Sequence, residues 1–232
     1  MSENSATVLV VDDEQSIRNS LRTILSGLGF SVVEAARGEE ALALVRTAQF
    51  DAVLLDIQMP GIGGVEVCSR IRGISPSLPV LMVTVEASED RKVAALNAGA
   101  DDFITKPFQL RELIARLRAA IRRNEPAQAV GPSVTVGEVT LDPERHAVLK
   151  RGRRIHLTPK EFELLHFFML NAGRPIPHAQ VLRSVWGREH SDALEYLRTF
   201  IRQLRMKIED DPANPRYLLT ESHIGYRFSE YI

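Results

Sequence analysis

Up to Arg123 the chain repeats one pattern, a short apolar run followed by an amphipathic stretch. The runs are Thr7-Val-Leu-Val-Val11, Ser31-Val-Val33, Ala52-Val-Leu-Leu55, Pro79-Val-Leu-Met-Val83 and Asp102-Phe-Ile-Thr105, separated by 15–25 residues of helical pattern. Ile17, Leu21, Ile24, Leu25 and Leu28 mark the first amphipathic stretch. The last, about Leu110 to Arg123, carries Leu113, Leu117 and Ile121 at four-residue spacing. A strand apolar on both faces must be covered on both. Its alternation with helices predicts an α/β fold, a (βα)5 doubly wound parallel sheet.

After Arg123 the texture changes. Asn124-Glu-Pro-Ala-Gln-Ala-Val-Gly-Pro-Ser133 has no periodicity, two prolines and a glycine, and reads as a linker. Short alternating strands follow at Thr135–Leu141, Ala147–Leu149 and Arg154–Leu157, with Lys150-Arg-Gly-Arg153 as a turn. Thr158-Pro-Lys-Glu161 has the residues of a capping box and opens a helix to about Asn171. A second helix follows Pro177 and ends near Trp186-Gly187. A third runs from about Asp192 to Glu209, and the chain finishes in a hairpin around His223-Ile-Gly225. The expected organisation is a domain over 1–123, a linker over 124–133 and an α+β domain over 134–232.

Composition narrows the classes. With 29 basic and 30 acidic residues the net charge is -1, so no global basic field announces nucleic acid. The halves divide as 14 basic and 16 acidic residues to Arg123, then 15 and 14. No apolar run approaches the ~20 residues that span a bilayer, and Met1-Ser-Glu-Asn-Ser5 lacks a signal-like region. Cys68 is the only cysteine, so a cytoplasmic protein without disulfides or a cysteine metal cluster is expected.

In an open parallel sheet, chemistry collects at the carboxyl ends of the strands. There the sequence places Asp12 and Asp13 after the first strand, Asp56 at the third, Thr84 at the fourth and Lys106-Pro107 at the fifth. Three converging carboxylates need a cation, and hard oxygen ligands suit Mg²⁺ or Mn²⁺. Thr84 offers a hydroxyl and Lys106 an ammonium to an incoming phosphoryl oxygen. Asp56 stands as the nucleophile of an aspartyl phosphate. Taken singly, each residue reads as a helix cap, a turn former or a loop; the set together points to one site.

These residues sit in Val11-Asp-Asp-Glu14, Leu55-Asp-Ile-Gln-Met-Pro-Gly61, Val83-Thr84 and Ala98-Gly-Ala-Asp-Asp-Phe-Ile-Thr-Lys-Pro-Phe108. The segment resembles a response-regulator receiver domain over its full length. The resemblance implies phosphoryl transfer from a histidine kinase to Asp56. It implies Asp13 and Asp56 as direct metal ligands, Asp12 acting largely through water, and the Ile57 backbone carbonyl completing the set. It makes Phe103 a switch aromatic that turns inward as Thr84 moves. Phe103 stands where many relatives carry tyrosine, and Val85 where Ala or Gly is usual. The branched Val85 is expected to narrow access to the phosphate and slow its hydrolysis.

Lys92, Asp101, Asp102, Glu112, Arg116 and Arg123 read as a solvated charged surface on their own. The resemblance implies pairs across a two-fold homodimer formed on activation: Lys92 with Glu112, Asp102 with Arg116, and Asp101 with Arg123.

In the helix from Asp192 to Glu209, Leu194, Leu197, Ile201, Leu204 and Ile208 form a stripe to bury. Glu195, Thr199, Arg202, Gln203 and Met206 project away from it at 100° per residue, flanked by Arg198 and Arg205. Arg and Gln suit purine edges in a major groove, and a Thr methyl suits thymine. Alone, this face reads as a salt-bridged surface helix. With its preceding helix and terminal hairpin it reads as a helix-turn-helix with a wing.

Leu157-Thr-Pro-Lys-Glu-Phe-Glu-Leu-Leu165, Val185-Trp-Gly187, Ile201–Glu209 and Ile224-Gly-Tyr-Arg-Phe228 make this half similar to the winged-helix effector of the OmpR/PhoB family. Carried over residue by residue, the family implies Arg198, Thr199, Arg202 and Gln203 near bases, Arg202 alternatively on a phosphate. It places Arg205 and Arg227 at phosphates of double-stranded promoter DNA, with RNA polymerase as a further partner. Ser222-His223 stands where several relatives have a minor-groove arginine, which makes His223 a turn residue. Glu195-Tyr-Leu-Arg198 and Leu219–Gly225 resemble the subfamily that regulates potassium-transport operons.

The expected function is a two-component transcription regulator rather than an enzyme. Two alternatives share the motifs. One is a metal-dependent phosphatase with an aspartyl intermediate, although Gln58 stands where such an enzyme needs a second carboxylate. The other is a regulator that binds DNA without phosphorylation.

Overall fold

Five parallel strands carry the first half of the chain: β1 (Thr7–Val11), β2 (Ser31–Ala35), β3 (Ala52–Asp56), β4 (Val80–Thr84) and β5 (Asp102–Thr105). They lie in the order β2-β1-β3-β4-β5. Helices α1 (Gln15–Gly27), α2 (Gly38–Thr47), α3 (Gly64–Ile74), α4 (Glu89–Asn97) and α5 (Leu110–Asn124) connect them. The protein, here a computed structural model, is described over residues 5–85, 88–124, 132–187 and 194–230, without the side chains of Glu89, Arg123 and Asn124. Two compact units divide between Asn124 and Glu125.

Every residue of β3 and β4 is buried, as their unbroken apolar runs require. On one face Val8, Val10, Leu54, Leu81, Val83 and Ile104 meet Leu21 and Leu25 of α1 and Leu113 and Leu117 of α5. Each such side chain contributes about 1.5–3 kcal/mol by leaving water. Leu28 does not join them. It caps the C-terminus of α1 and is exposed, because Gly29 (φ 90°) turns the chain away one residue later. The order reverses between β2-β1 and β1-β3, which opens a crevice at the carboxyl ends of β1 and β3.

The second unit starts with the antiparallel meander β6 (Val134–Val136), β7 (Val139–Asp142), β8 (Ala147–Lys150) and β9 (Arg153–Ile155). The single strand read over Thr135–Leu141 is two strands hinged at Gly137. Arg151 (φ 52°) and Gly152 (φ 74°) supply the paired left-handed residues of a tight hairpin, with Lys150 opposite Arg153.

Next comes α6 (Pro159–Leu170), whose Thr158–Glu161 capping box forms in both directions. It is followed by the two-residue β10 (Ile176–Pro177), α7 (His178–Val185), α8 (Leu194–Ile208), β11 (Leu218–Glu221) and β12 (Gly225–Phe228). The last sheet runs β10-β12-β11. Trp186, Tyr196 and Phe200 pack with ring centroids 5.2–5.4 Å apart. The buried Lys160 donates to the Val185 carbonyl at 2.9 Å, tying α6 to the end of α7. The expected helix start at Asp192 and most of the expected linker lie outside the described residues.

Candidate functional site

The strand ends bring three of the predicted residues, Asp12, Asp56 and Lys106, together at the switch-point crevice. Asp12 follows β1 and Asp56 ends β3, and their exposures are only 2% and 4%. Lys106, just past β5, reaches over both: its Nζ lies 2.7 Å from Asp12 Oδ2 and 3.0 Å from Asp56 Oδ1. Backbone amides take the remaining oxygens, Glu14 N–H donating to Asp12 Oδ1 at 2.9 Å and Gln58 N–H to Asp56 Oδ2 at 2.8 Å.

Burial pushes the Asp56 carboxyl above its ordinary range. Hydrogen bonding and charge from Lys106 pull the other way without cancelling it, and Asp12 adds repulsion. Burial alone would lower the Lys106 ammonium, but its bonds to two carboxylates hold it above the ordinary lysine range. Burial sets the direction for Asp56, and the two paired carboxylates set it for Lys106.

The expectation that three carboxylates converge needs correcting. Asp13 is exposed, and among the described residues no three acidic, His or Cys side chains group closely enough to hold a metal. Successive residues leaving a strand point to opposite sides, so Asp12 turns inward and Asp13 onto the rim. The Ile57 carbonyl already accepts the Gly64 N–H at 3.1 Å. Gly64 itself was not foreseen. A Cβ there would stand 2.0 Å from the Asp56 carbonyl oxygen, so only glycine lets α3 start against the Asp56 backbone. Arg18 was also missed; buried on α1, it donates to the Asp12 carbonyl at 2.6 Å.

Thr84 is fully buried at the end of β4, and the next residue, Val85, is 55% exposed. Met82 pairs with Phe103 and Thr84 with Thr105, which puts Thr84 and Phe103 on one face of the sheet. The Phe103 ring is half-buried with the Lys92 Nζ 4.8 Å from its centroid.

The charged set of α4, β5 and α5 is largely tied within the unit. Arg116 donates to Asp102 at 2.9 Å and to Glu112 at 2.7 Å. Asp101 is not a surface carboxylate: it is 3% exposed, and its Oδ2 accepts from Arg72 at 2.6 Å and from the Val80 N–H at 2.8 Å. That corrects its assignment to a dimer surface. The Arg123 side chain lies outside the described residues.

In the second unit, α8 buries Leu197, Ile201, Leu204 and Ile208 as expected, together with Tyr196 and Phe200. The wider apolar stripe also takes Thr199, 7% exposed, whose Oγ1 donates to the Glu195 carbonyl at 3.0 Å. Thr199 is therefore corrected from base reader to buried residue. The outer face is Glu195, Arg198, Arg202 and the 67% exposed Met206, with Gln203 half-buried. Arg198 pairs with Glu195.

Arg205 is half-buried against β11, donating to the Leu218 carbonyl at 2.7 Å and to Thr220 Oγ1 at 2.8 Å, so its expected role on phosphates is corrected to holding helix against hairpin. Arg227 pairs with Glu221 at 2.5 Å. His223 sits at the hairpin tip with φ 63° and is exposed, as a turn residue should be.

A receiver crevice joined to a helix-turn-helix unit defines the class, a response regulator that acts on transcription. Family models agree on both halves. The description "Response regulator receiver domain" matches residues 8–118, and "Transcriptional regulatory protein, C terminal" matches 152–228. The chain is 42% identical over 224 residues to the sensory transduction protein RegX3 of Mycolicibacterium smegmatis, covering 95% of this chain and 98% of that one. It is 42% identical over 221 residues to the KDP operon transcriptional regulatory protein KdpE of Escherichia coli, with the same coverage. Among solved structures, the Thermotoga maritima OmpR/PhoB homologue DrrB is 32% identical with a TM-score of 0.52, over 97% of this chain and 99% of that one. The chain belongs to the OmpR/PhoB family of two-component response regulators. No helix among the described residues is long and apolar enough to cross a membrane.

Proposed function

We propose that Asp56 is the phospho-acceptor, and that its phosphorylation by a sensor histidine kinase drives receiver dimerisation and promoter binding. The observation that carries this reading is the Lys106 ammonium bridging buried Asp12 and Asp56 at the sheet's switch point. An Asp56 oxygen attacks phosphorus, and the N–P bond of the kinase phosphohistidine breaks. Lys106 then turns from the carboxylates toward the added oxygens, and the Thr84 hydroxyl donates to one of them.

The donor set fits a hard divalent cation. Two buried carboxylates share a single ammonium, Asp13 waits on the rim, and the Ile57 carbonyl keeps a second lone pair. Asp12, Asp56 and the Ile57 carbonyl would hold Mg²⁺ or Mn²⁺, with Asp13 swinging in from the rim to join them, and the ion would supply positive charge for the transferred group. Gln58 has no proton to give or take two residues after Asp56, so the phosphoryl group is stored rather than turned over.

Thr84 and Phe103, on one sheet face, form the switch pair. The surface of α4, β5 and α5 mates with a second copy through Lys92, Asp102, Glu112 and Arg116, with Arg123 beside them. Arg198, Arg202 and Gln203 read bases or phosphates from the exposed face of α8, and Arg227, on the hairpin that follows, meets a backbone phosphate. The linker over 124–133 lets two reading heads share one encounter with DNA, and RNA polymerase takes the signal onward in the cytoplasm. Potassium-transport genes are the proposed target, supported by 42% identity to the Escherichia coli KDP operon regulator; RegX3 stands at the same identity, and binding to a potassium-transport promoter separates the two.

Intact-mass measurement after incubation with acetyl phosphate and Mg²⁺ tests the acceptor. One phosphoryl group is expected on the native chain and none on Asp56→Asn. Equal labelling of both would overturn the assignment.

A further inference from the structure

The Lys92 ammonium lies 4.8 Å from the centre of the Phe103 ring. The two carboxylates nearest in the sequence of β5 and α5, Asp102 and Glu112, are both engaged by Arg116 at 2.7–2.9 Å. The Phe103 ring has no hydroxyl, so no phenolic hydrogen bond can fix where it points. Its half-buried face instead offers the negative side of a π-system to a cation.

We propose that Lys92 is a positioning residue for the switch: its ammonium clamps the Phe103 ring in the half-buried position it holds here through a cation–π contact and so opposes its move toward Thr84. The clamp rests on the reading of Thr84 and Phe103 as the switch pair. Turning the ring inward toward Thr84 breaks the contact and releases Lys92 in the same motion. The event that moves the ring therefore also frees a cation on the surface assigned to the second copy. A contact of this kind at a half-exposed position biases the two ring positions by about two- to five-fold.

Ring electronics test the clamp. Full-length protein carrying mono-, di- or trifluorophenylalanine at position 103 is titrated with beryllium fluoride and Mg²⁺, and the fluorine resonance of that residue reports the ring position. Each fluorine drains the ring face and weakens its hold on a cation, while changing the shape little. The concentration giving half-inward ring is expected to fall stepwise along the series, by two- to five-fold in total, and to stay flat in Lys92→Met. A flat series with Lys92 present, or equal slopes with and without it, would overturn the clamp. If beryllium fluoride binds, with Asp56→Asn as the silent control, but the ring stays put, the clamp alone fails. If it does not bind, the reading of Asp56 fails and the clamp with it.

Discussion

Lys106 Nζ stands 3.0 Å from Asp56 Oδ1 while also 2.7 Å from Asp12 Oδ2, so one ammonium serves two buried carboxylates. Removing it leaves two anions without a counter-charge. Lys106→Met is expected to destabilise the receiver by roughly 3–5 kcal/mol at neutral pH, the scale of a broken buried pair. The loss should shrink in acid as Asp56 protonates. Thermal unfolding across pH checks this, and an equal loss at every pH would contradict it.

Asp56 gives the converse effect. Its folded-state pKa lies above the ordinary 3.8, chiefly through burial. The folded chain thus holds that proton more tightly than the unfolded one. The associated stability is full below 3.8 and is lost as pH rises through the raised value. Asp56→Asn removes the loss. Its melting temperature relative to the native chain is expected to climb as pH rises through that window and to level off above it, and a difference independent of pH would refute the burial argument.

Gly64→Ala would place a methyl group 2.0 Å from the Asp56 carbonyl oxygen. The start of α3 must then shift, at an overpacking cost of about 1–3 kcal/mol. Beryllium fluoride affinity should fall along with stability, since the shift displaces the acceptor's own backbone. Unchanged affinity in calorimetry would mean that the loop tolerates a side chain there.

On α8, Thr199 is buried and Arg202 exposed. Thr199→Val should leave operator affinity within about two-fold, while Arg202→Ala should cost roughly 1–3 kcal/mol if it reads a base, or lower the salt slope by about one if it meets a phosphate. Fluorescence-anisotropy titrations at several salt concentrations distinguish these outcomes. A large loss from Thr199→Val would restore it as a reader.

Glu209, buried at the end of α8, accepts the backbone N–H groups of Arg216 (2.8 Å), Tyr217 (3.0 Å) and Leu218 (2.9 Å). Glu209→Ala strands two buried donors, Tyr217 and Leu218, and the half-buried N–H of Arg216, and should destabilise the second unit by about 3–5 kcal/mol. Denaturant unfolding of the full chain is expected to show an early transition for that unit, with the receiver transition unmoved.

The receiver was largely legible because its signals are local. β5 reads from the sequence at Asp102–Thr105 and lies there, and the strand-end rule brings Asp12, Asp56 and Lys106 to one crevice. What escaped depends on partners distant in sequence or on the direction of a single side chain. Asp101 reads as surface until Arg72, on α3, is folded against it. Thr199 projects outward on an ideal wheel, but Tyr196 and Phe200 widen the apolar stripe until it lies inside. Arg205 looks like a free cation until β11 supplies the Leu218 carbonyl. The break at Gly137 was visible only as a glycine within an alternating run.

The most direct test of the central claim is a DNA-binding titration of the full chain with and without beryllium fluoride and Mg²⁺, with its mass in solution recorded alongside. The expected result is a shift from monomer to dimer together with tighter operator binding, both absent in Asp56→Asn. Identical mass and affinity with and without the phosphate mimic would contradict it.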